Sequence, residues 1–118
     1  MSLEPKDTSQ GIVGNAFANA LVAGEYDVAY NMLSTSLQAE LSSPELKESF
    51  ESMIRYGRSA PNYVEVMSVL NDWSDKQPSD IGWAYVAICG DGFSEAVSVV
   101  VTQEETKTVI SDIDWGRP

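Results

Sequence analysis

The sequence predicts an α+β domain in which three helices come first and then pack on one face of a four-stranded antiparallel sheet. Before Pro61, apolar residues recur every three or four positions, which is typical of amphipathic helices. After Pro61 they alternate with period two, which is typical of strands. A glycine-bracketed turn at residues 90–92 marks a hairpin. Helices followed by sequential strands favour the α+β class.

The helices are predicted from their capping and stop residues. Thr8 or Ser9 can cap the first helix, and Gly24 ends it in a left-handed conformation. Ser43 is expected to cap the third helix, which then ends at Gly57. The predicted helical ranges are 8–24, 25–33 and 44–57, with one loosely helical turn at 37–41.

The strands are predicted from alternation between turn-rich segments. Their expected ranges are 63–70, 83–89, 93–102 and 106–115. On the first strand, alternation groups residues 64, 66, 68 and 70 on one face. On the last strand, it groups Ile110 with Asp112 and Asp114, and Val109 with Ile113 and Trp115. We expect both aspartates to be exposed.

The chain is strongly acidic. Its 118 residues suit a single domain, and 18 acidic against 7 basic residues give a net charge of −11. This charge argues against nucleic acid or an anionic membrane surface as a partner, and no apolar run is long enough to predict a membrane span. Two interpretations stay open: the acids solvate the surface, or they form a patch that meets a basic partner or a cation.

The residue types that are missing exclude several kinds of chemistry. The chain has no histidine, which excludes Ser-His and Cys-His nucleophiles and histidine-ligated zinc. Its one cysteine, Cys89, lies in the apolar run AYVAIC and is expected to be a buried, inert thiol. We therefore expect no disulfide, no metal site and no cofactor.

Two segments resemble the nuclear transport factor two-like superfamily, a cystatin-like, cone-shaped fold that includes ketosteroid isomerases. They are FANALVAGEYDVAYNMLS at residues 17–34 and EAVSVVVTQEETKTVISDIDW at residues 95–115. In this superfamily a helix ends at a small residue, an aromatic follows and a second helix turns back, as at Gly24, Tyr26 and residues 29–33. The resemblance implies a curved sheet around a helix, leaving a cone whose mouth can be a pocket. It implies no single activity, because members include enzymes, ligand carriers and accessory domains.

The resemblance to ketosteroid isomerases implies that a catalytic site would need a carboxylate base and a tyrosine hydrogen-bond donor. Glu95 is the best-placed carboxylate, since it interrupts an apolar row on the third predicted strand. Tyr26 and Tyr30 are the candidate donors. No residue matches a catalytic motif of the superfamily, so we favour a non-catalytic binding or interaction domain over an isomerase- or cyclase-like enzyme acting on a small apolar substrate.

The candidate binding residues are aromatic. Trp83 and Tyr85 share a strand face, and Trp115 on the last strand is expected near them, so the three can line a pocket for an apolar ligand or an interface. The alternative is that they are core or rim residues. An aromatic sheet face that helices leave open also suits a homodimer.

We interpret residues 1–10 as a flexible start or a cloning remnant and residues 11–118 as a single domain. The polar segment EPKDTSQG also suits a linker, so an accessory domain of an exported or membrane-anchored protein is a further alternative. A cytoplasmic location is expected if the start is native, and an exported one if a signal was removed.

Overall fold

A computed structural model describes residues 4–55, 60–91 and 93–116 of the chain. It confirms the α+β class and the four-stranded antiparallel sheet, with strand order β1-β2-β3-β4. A short 3-10 turn at Pro5–Asp7 precedes the helices. The helices are α1 (Ser9–Val22), α2 (Tyr26–Tyr30), α3 (Thr35–Glu40) and α4 (Ser43–Ile54). The strands are β1 (Tyr63–Leu70), β2 (Asp80–Gly90), β3 (Phe93–Glu104) and β4 (Lys107–Trp115).

Helix α1 is the element that packs most extensively on the sheet, and its predicted start is confirmed. Thr8 caps it, because the Thr8 Oγ1 accepts a hydrogen bond from the Gly11 backbone N–H at 3.0 Å. Gly14 lets the helix approach closely, since a Cβ there would lie 3.1 Å from Val86 Cγ2. Gly24 has φ +77°, the left-handed conformation expected where the chain turns back.

The second predicted helix is shorter than expected. Helix α2 ends at Tyr30, and the chain then runs beside β4 instead of staying helical. The Ile110 N–H donates to the Met32 carbonyl at 2.8 Å, and the Ser34 N–H donates to the Ile110 carbonyl at 2.7 Å. Leu33 and Ile110 thus form an isolated parallel bridge. Tertiary pairing with the edge strand outweighs the local helical pattern.

Helix α4 is capped one residue earlier than predicted. The cap is Ser42, not Ser43, because only Ser42 has a glutamate three residues on. The Glu45 N–H donates to the Ser42 Oγ at 3.3 Å, and the Ser42 N–H donates to the Glu45 Oε1 at 2.9 Å. These two bonds form a capping box. The predicted stop at Gly57 lies outside the described residues.

Two β-bulges change the faces predicted from strict alternation. In β1 the register shifts between Val66 and Ser68, and β4 has an extra residue at Ser111. Each bulge adds one unpaired residue and so exchanges the two faces beyond it. Val69 therefore lies on the same face as Val66, and Ile110 lies with Ile113 and Trp115, not with the aspartates. These are corrections to the predicted pattern.

We call the two sides of the sheet the helix face and the open face. The helix face packs against the helices and contributes most of the buried core, including Val66, Val86, Val97, Val99, Val101 and Ile110. The open face is formed by the alternate residues of the same strands. They include Leu70, Trp83, Tyr85, Ser98, Val100, Asp112 and Asp114. The described helices do not pack on the open face, so its side chains meet solvent or a partner.

The fold uses residues ahead of residue 11. The Gln10 side chain is buried, and its Nε2 donates to the Leu70 carbonyl at 3.2 Å and to the Asn71 Oδ1 at 2.9 Å. Gly82 leaves room for it, since a Cβ there would lie 2.5 Å from the Gln10 side chain. A domain boundary placed at residue 11 therefore falls inside helix α1.

Candidate functional site

An aromatic cluster packs between the helices and the sheet. Phe17 and Phe50 both pack on Trp115, with ring centroids 6.5 and 6.4 Å from it, and Tyr26 packs on Phe50 at 6.3 Å. Such tilted pairs add to the burial of each ring. Trp115 is therefore a partly buried residue that packs against the core on the helix face. Its expected proximity to Trp83 and Tyr85 is wrong, because β2 presents those two residues to the opposite face.

Tyr26 packs against Phe50, and its hydroxyl is protonated. Burial raises the pKa of its phenol, and the negative charge of Glu51 raises it further. The Lys47 Nζ lies 5.7 Å from the ring centroid, a cation–π contact. A phenol with a raised pKa can donate a hydrogen bond at neutral pH but does not act as a base.

Tyr30 joins two helices. Its hydroxyl donates to the Gln38 carbonyl at 2.9 Å, and the Gln38 Nε2 donates to the Tyr30 carbonyl at 2.9 Å. The hydroxyl proton is therefore used in a hydrogen bond that joins α2 to α3. This reciprocal pair gives Tyr30 a structural role.

Glu95 lies on the helix face of β3, opposite Ile88 on β2, and only 7% of it is exposed. Within the described part of the chain, no residue hydrogen-bonds to its carboxylate, and none links it to Tyr26 or Tyr30. A carboxylate in an apolar row is costly to bury without a partner. Glu95 therefore stands out, but the three catalytic candidates do not form a hydrogen-bonded group.

Trp83 and Tyr85 form a stacked pair on the open face, as their spacing on one strand predicts. Their ring centroids are 6.2 Å apart and their planes differ by 15°. Each aromatic residue lies in a row with its paired residues on β3 and β4. Trp83 pairs with Val100, which pairs with Asp112, and Tyr85 pairs with Ser98, which pairs with Asp114. Both aspartates are exposed, which confirms that expectation.

The apolar character of the open face continues onto strand β1. Tyr63 and Leu70 lie at its two ends, 51% and 44% exposed, and Leu70 pairs directly with Trp83. Cys89 pairs with Tyr63 on the same face and is half-buried, with its Sγ 3.3 Å from the Ser94 Oγ. The expectation of a buried thiol is therefore wrong, because this side of β2 has no helix over it.

A cleft of about 560 Å³ lies at one end of the open face, between β3, β4, α3 and the β1–β2 connection. Trp73 and Val100 contribute its apolar surface. The described residues that line it include no lysine or arginine, and its carboxylates come from Glu40, Asp75, Asp80, Glu104 and Asp112. We call it the acidic cleft. Of these carboxylates, only Asp112 is named in the predictions from sequence. The others lie on separate segments that only folding brings together.

The carboxylates of the acidic cleft are spread out, not focused on one point. The Glu104 carboxylate accepts from the Thr35 N–H at 3.1 Å and from its Oγ1 at 2.8 Å, and the Asp80 Oδ2 accepts from the Gln77 N–H at 2.9 Å. Among the residues described, no group of three or more His, Cys, Asp or Glu side chains is arranged to hold a metal ion. The cleft thus presents a diffuse negative field and no compact ligand set.

Asp112 belongs to both the open face and the acidic cleft. Partial burial raises the pKa of its carboxyl above the usual 3.8, and the nearby Asp114 and Glu40 carboxylates raise it further. A hydrogen bond from the Ile113 N–H at 3.0 Å works in the opposite direction. The net effect is a carboxylate whose charge would be stabilised by an incoming cation.

No protein-family model and no curated protein matches this sequence. Across the described residues, no helix has the length and apolar character needed to cross a membrane.

Proposed function

We propose that this chain is a non-catalytic protein-interaction domain with a nuclear transport factor two-like fold, and that its open face is the binding surface. The stacked Trp83–Tyr85 pair carries the proposal. Two large rings are held in place on a sheet face that the described helices do not cover. Aromatic residues of this kind are the usual anchors of protein interfaces.

The distribution of apolar surface supports the open face over the interior. Phe17, Phe50 and Trp115 occupy the space under the helices, where a ligand of the superfamily would sit. Leu70 and Tyr63 extend the apolar surface beside the stacked pair instead. Exposed apolar patches on a sheet face are characteristic of interaction sites.

The experiment is a selection of short random peptides against the immobilised protein, repeated with the double variant Trp83→Ala, Tyr85→Ala. The expected result is a set of peptides that bind the wild type and bind the double variant at least about tenfold more weakly, as loss of an aromatic anchor predicts. Ile12→Ala is the matched control, since Ile12 is 57% exposed on helix α1. If the selected peptides bind the double variant as tightly as they bind the wild type and the Ile12→Ala control, the open face is refuted as the binding surface.

A second copy of the chain is the alternative occupant of the open face. Sedimentation equilibrium at micromolar concentration distinguishes it: a homodimer that Leu70→Asp dissociates would assign the surface to self-association. Leu70 is the appropriate site because it is 44% exposed and pairs with Trp83.

An isomerase-like activity on a small apolar substrate is the second candidate function, and Glu95 is the observation that favours it. A buried carboxylate without a described partner is the kind of group that can serve as a general base. Such a base would exchange the α-protons of a cyclic ketone in D₂O, and Glu95→Gln would abolish the exchange. No exchange above the buffer rate by the wild type would exclude this candidate.

A further inference from the structure

Resting on the proposed function, we propose that the open face binds a basic segment of a partner protein. One arginine or lysine side chain of that segment lies between the Trp83–Tyr85 pair and the Asp112–Asp114 pair, above Ser98. We call this part of the open face the aromatic–acidic groove.

Strand register sets the dimensions of the groove. Trp83 and Asp112 lie on strands separated by one strand, as do Tyr85 and Asp114. With strands about 4.8 Å apart, the backbone positions that carry each ring and its carboxylate are about 9.6 Å apart across the sheet. A spacing of two strands leaves room for a cation that contacts a ring on one side and hydrogen-bonds to a carboxylate on the other.

The charge of the groove selects a cation. Trp83 and Tyr85 offer aromatic faces, and Asp112 and Asp114 offer carboxylates, which together match a guanidinium or ammonium group. The four strands carry a single basic residue, Lys107, which lies at the hairpin end of β4, opposite Glu104. Among the described strand residues, none that lies between the rings and the acids is basic.

Ser98 offers the groove a hydrogen-bonding group that no described residue uses. It lies on the floor of the groove, paired with Tyr85 on one side and Asp114 on the other, and is only 4% exposed. Its hydroxyl forms no hydrogen bond with any described residue. Since no fully covered side-chain oxygen or nitrogen in the described part of the chain lacks a partner, the Ser98 oxygen must reach the groove. A donor from the bound segment would satisfy it.

The surroundings favour an extended basic segment over other occupants. Val100 and Asp112 also line the acidic cleft, so negative charge continues beyond the groove and suits a segment with more than one basic residue. A second copy of this chain would instead bring further carboxylates against Asp112 and Asp114, which like-charge repulsion disfavours. A divalent metal ion finds no set of three ligands among the described residues.

The test uses an acetylated, amidated peptide that alternates arginine and valine, so that the arginines share one face of an extended chain. Binding is measured by isothermal titration calorimetry at low and at physiological salt. We expect binding that weakens as salt is raised, and a loss of about tenfold or more when citrulline, which is similar in shape but neutral, replaces arginine.

The variants locate the binding site. Asp112→Asn with Asp114→Asn should weaken binding by about three- to thirtyfold, as expected for two exposed ion pairs. Glu4→Gln with Glu25→Gln removes the same charge from exposed residues elsewhere and should leave the affinity within about twofold. Ser98→Ala should weaken binding by about three- to tenfold, as loss of one hydrogen bond predicts.

The outcomes separate the inference from the proposed function. If the control pair weakens binding as much as the aspartate pair, the peptide senses only net charge and the inference is wrong. If selected peptides depend on Trp83 and Tyr85 but are apolar or acidic, the proposed function stands and the inference fails. If no peptide depends on the two rings, both fail.

Discussion

Phe50→Ala should be one of the most destabilising single substitutions in helix α4. Phe50 is 2% exposed, and its ring contacts both Tyr26 and Trp115. Truncation of such a ring costs about 3–5 kcal/mol, because it removes apolar burial and leaves a cavity. A domain of 118 residues has a total stability of about 6–18 kcal/mol, so the loss is a large fraction. Leu46 is the other buried residue of α4, and it cannot replace both ring contacts.

Urea denaturation followed by circular dichroism measures this loss. With a slope of about 2 kcal/mol per molar urea, the midpoint should fall by about 2 M. Near-ultraviolet circular dichroism should also change, because Trp115 loses a packing neighbour. Ser52→Ala on the exposed side of the same helix is the control and should stay within about 0.5 kcal/mol of the wild type. A loss below about 1 kcal/mol for Phe50→Ala would refute the aromatic cluster as the centre of the core.

Three further predictions concern single residues. Ser42→Ala should cost about 0.5–2 kcal/mol in urea denaturation, and the lowered pKa of Glu45 should return towards its usual value in a ¹³C NMR titration. Gly24→Ala should cost about 1 kcal/mol, since φ is +77°, whereas Gly24→Asn should cost less. Because the folded-state pKa of Asp112 is raised, wild-type stability relative to Asp112→Asn should increase as pH falls through that pKa towards about 3.9. No such change would contradict the raised pKa.

Local signals in the sequence were sufficient for most element positions. Strand β1 has the predicted bounds, and α1 starts at the predicted cap, because alternation and capping depend on neighbouring residues only. Trp83 and Tyr85 also share a face as predicted, since two residues two apart on a regular strand always do. These features need no knowledge of the rest of the fold.

The predictions that were wrong concern features that depend on contacts between distant segments. The bulge at Ser111 is fixed by pairing with β3, so alternation alone put Ile110 on the wrong face. Trp115 lies on the opposite face from Trp83, and sequence position alone does not say which face of the sheet residues on two separate strands share. The acidic cleft joins residues from α3, the β1–β2 connection, β3 and β4, and only the concentration of acids in NDWSDKQPSD hinted at it.

The bridge between Leu33 and Ile110 determines how sheets from two molecules can meet. Met32 and Ser34 occupy backbone hydrogen-bonding positions on the outer side of β4, so a strand from another molecule cannot add there. At the other end of the sheet, the 3-10 turn at Pro5–Asp7 lies beside β1, and the Gln10 side chain donates to the Leu70 carbonyl. Pairing along the whole of β4 is interrupted at Ile110, near the middle of that strand, so two sheets cannot join through a continuous β4 ladder.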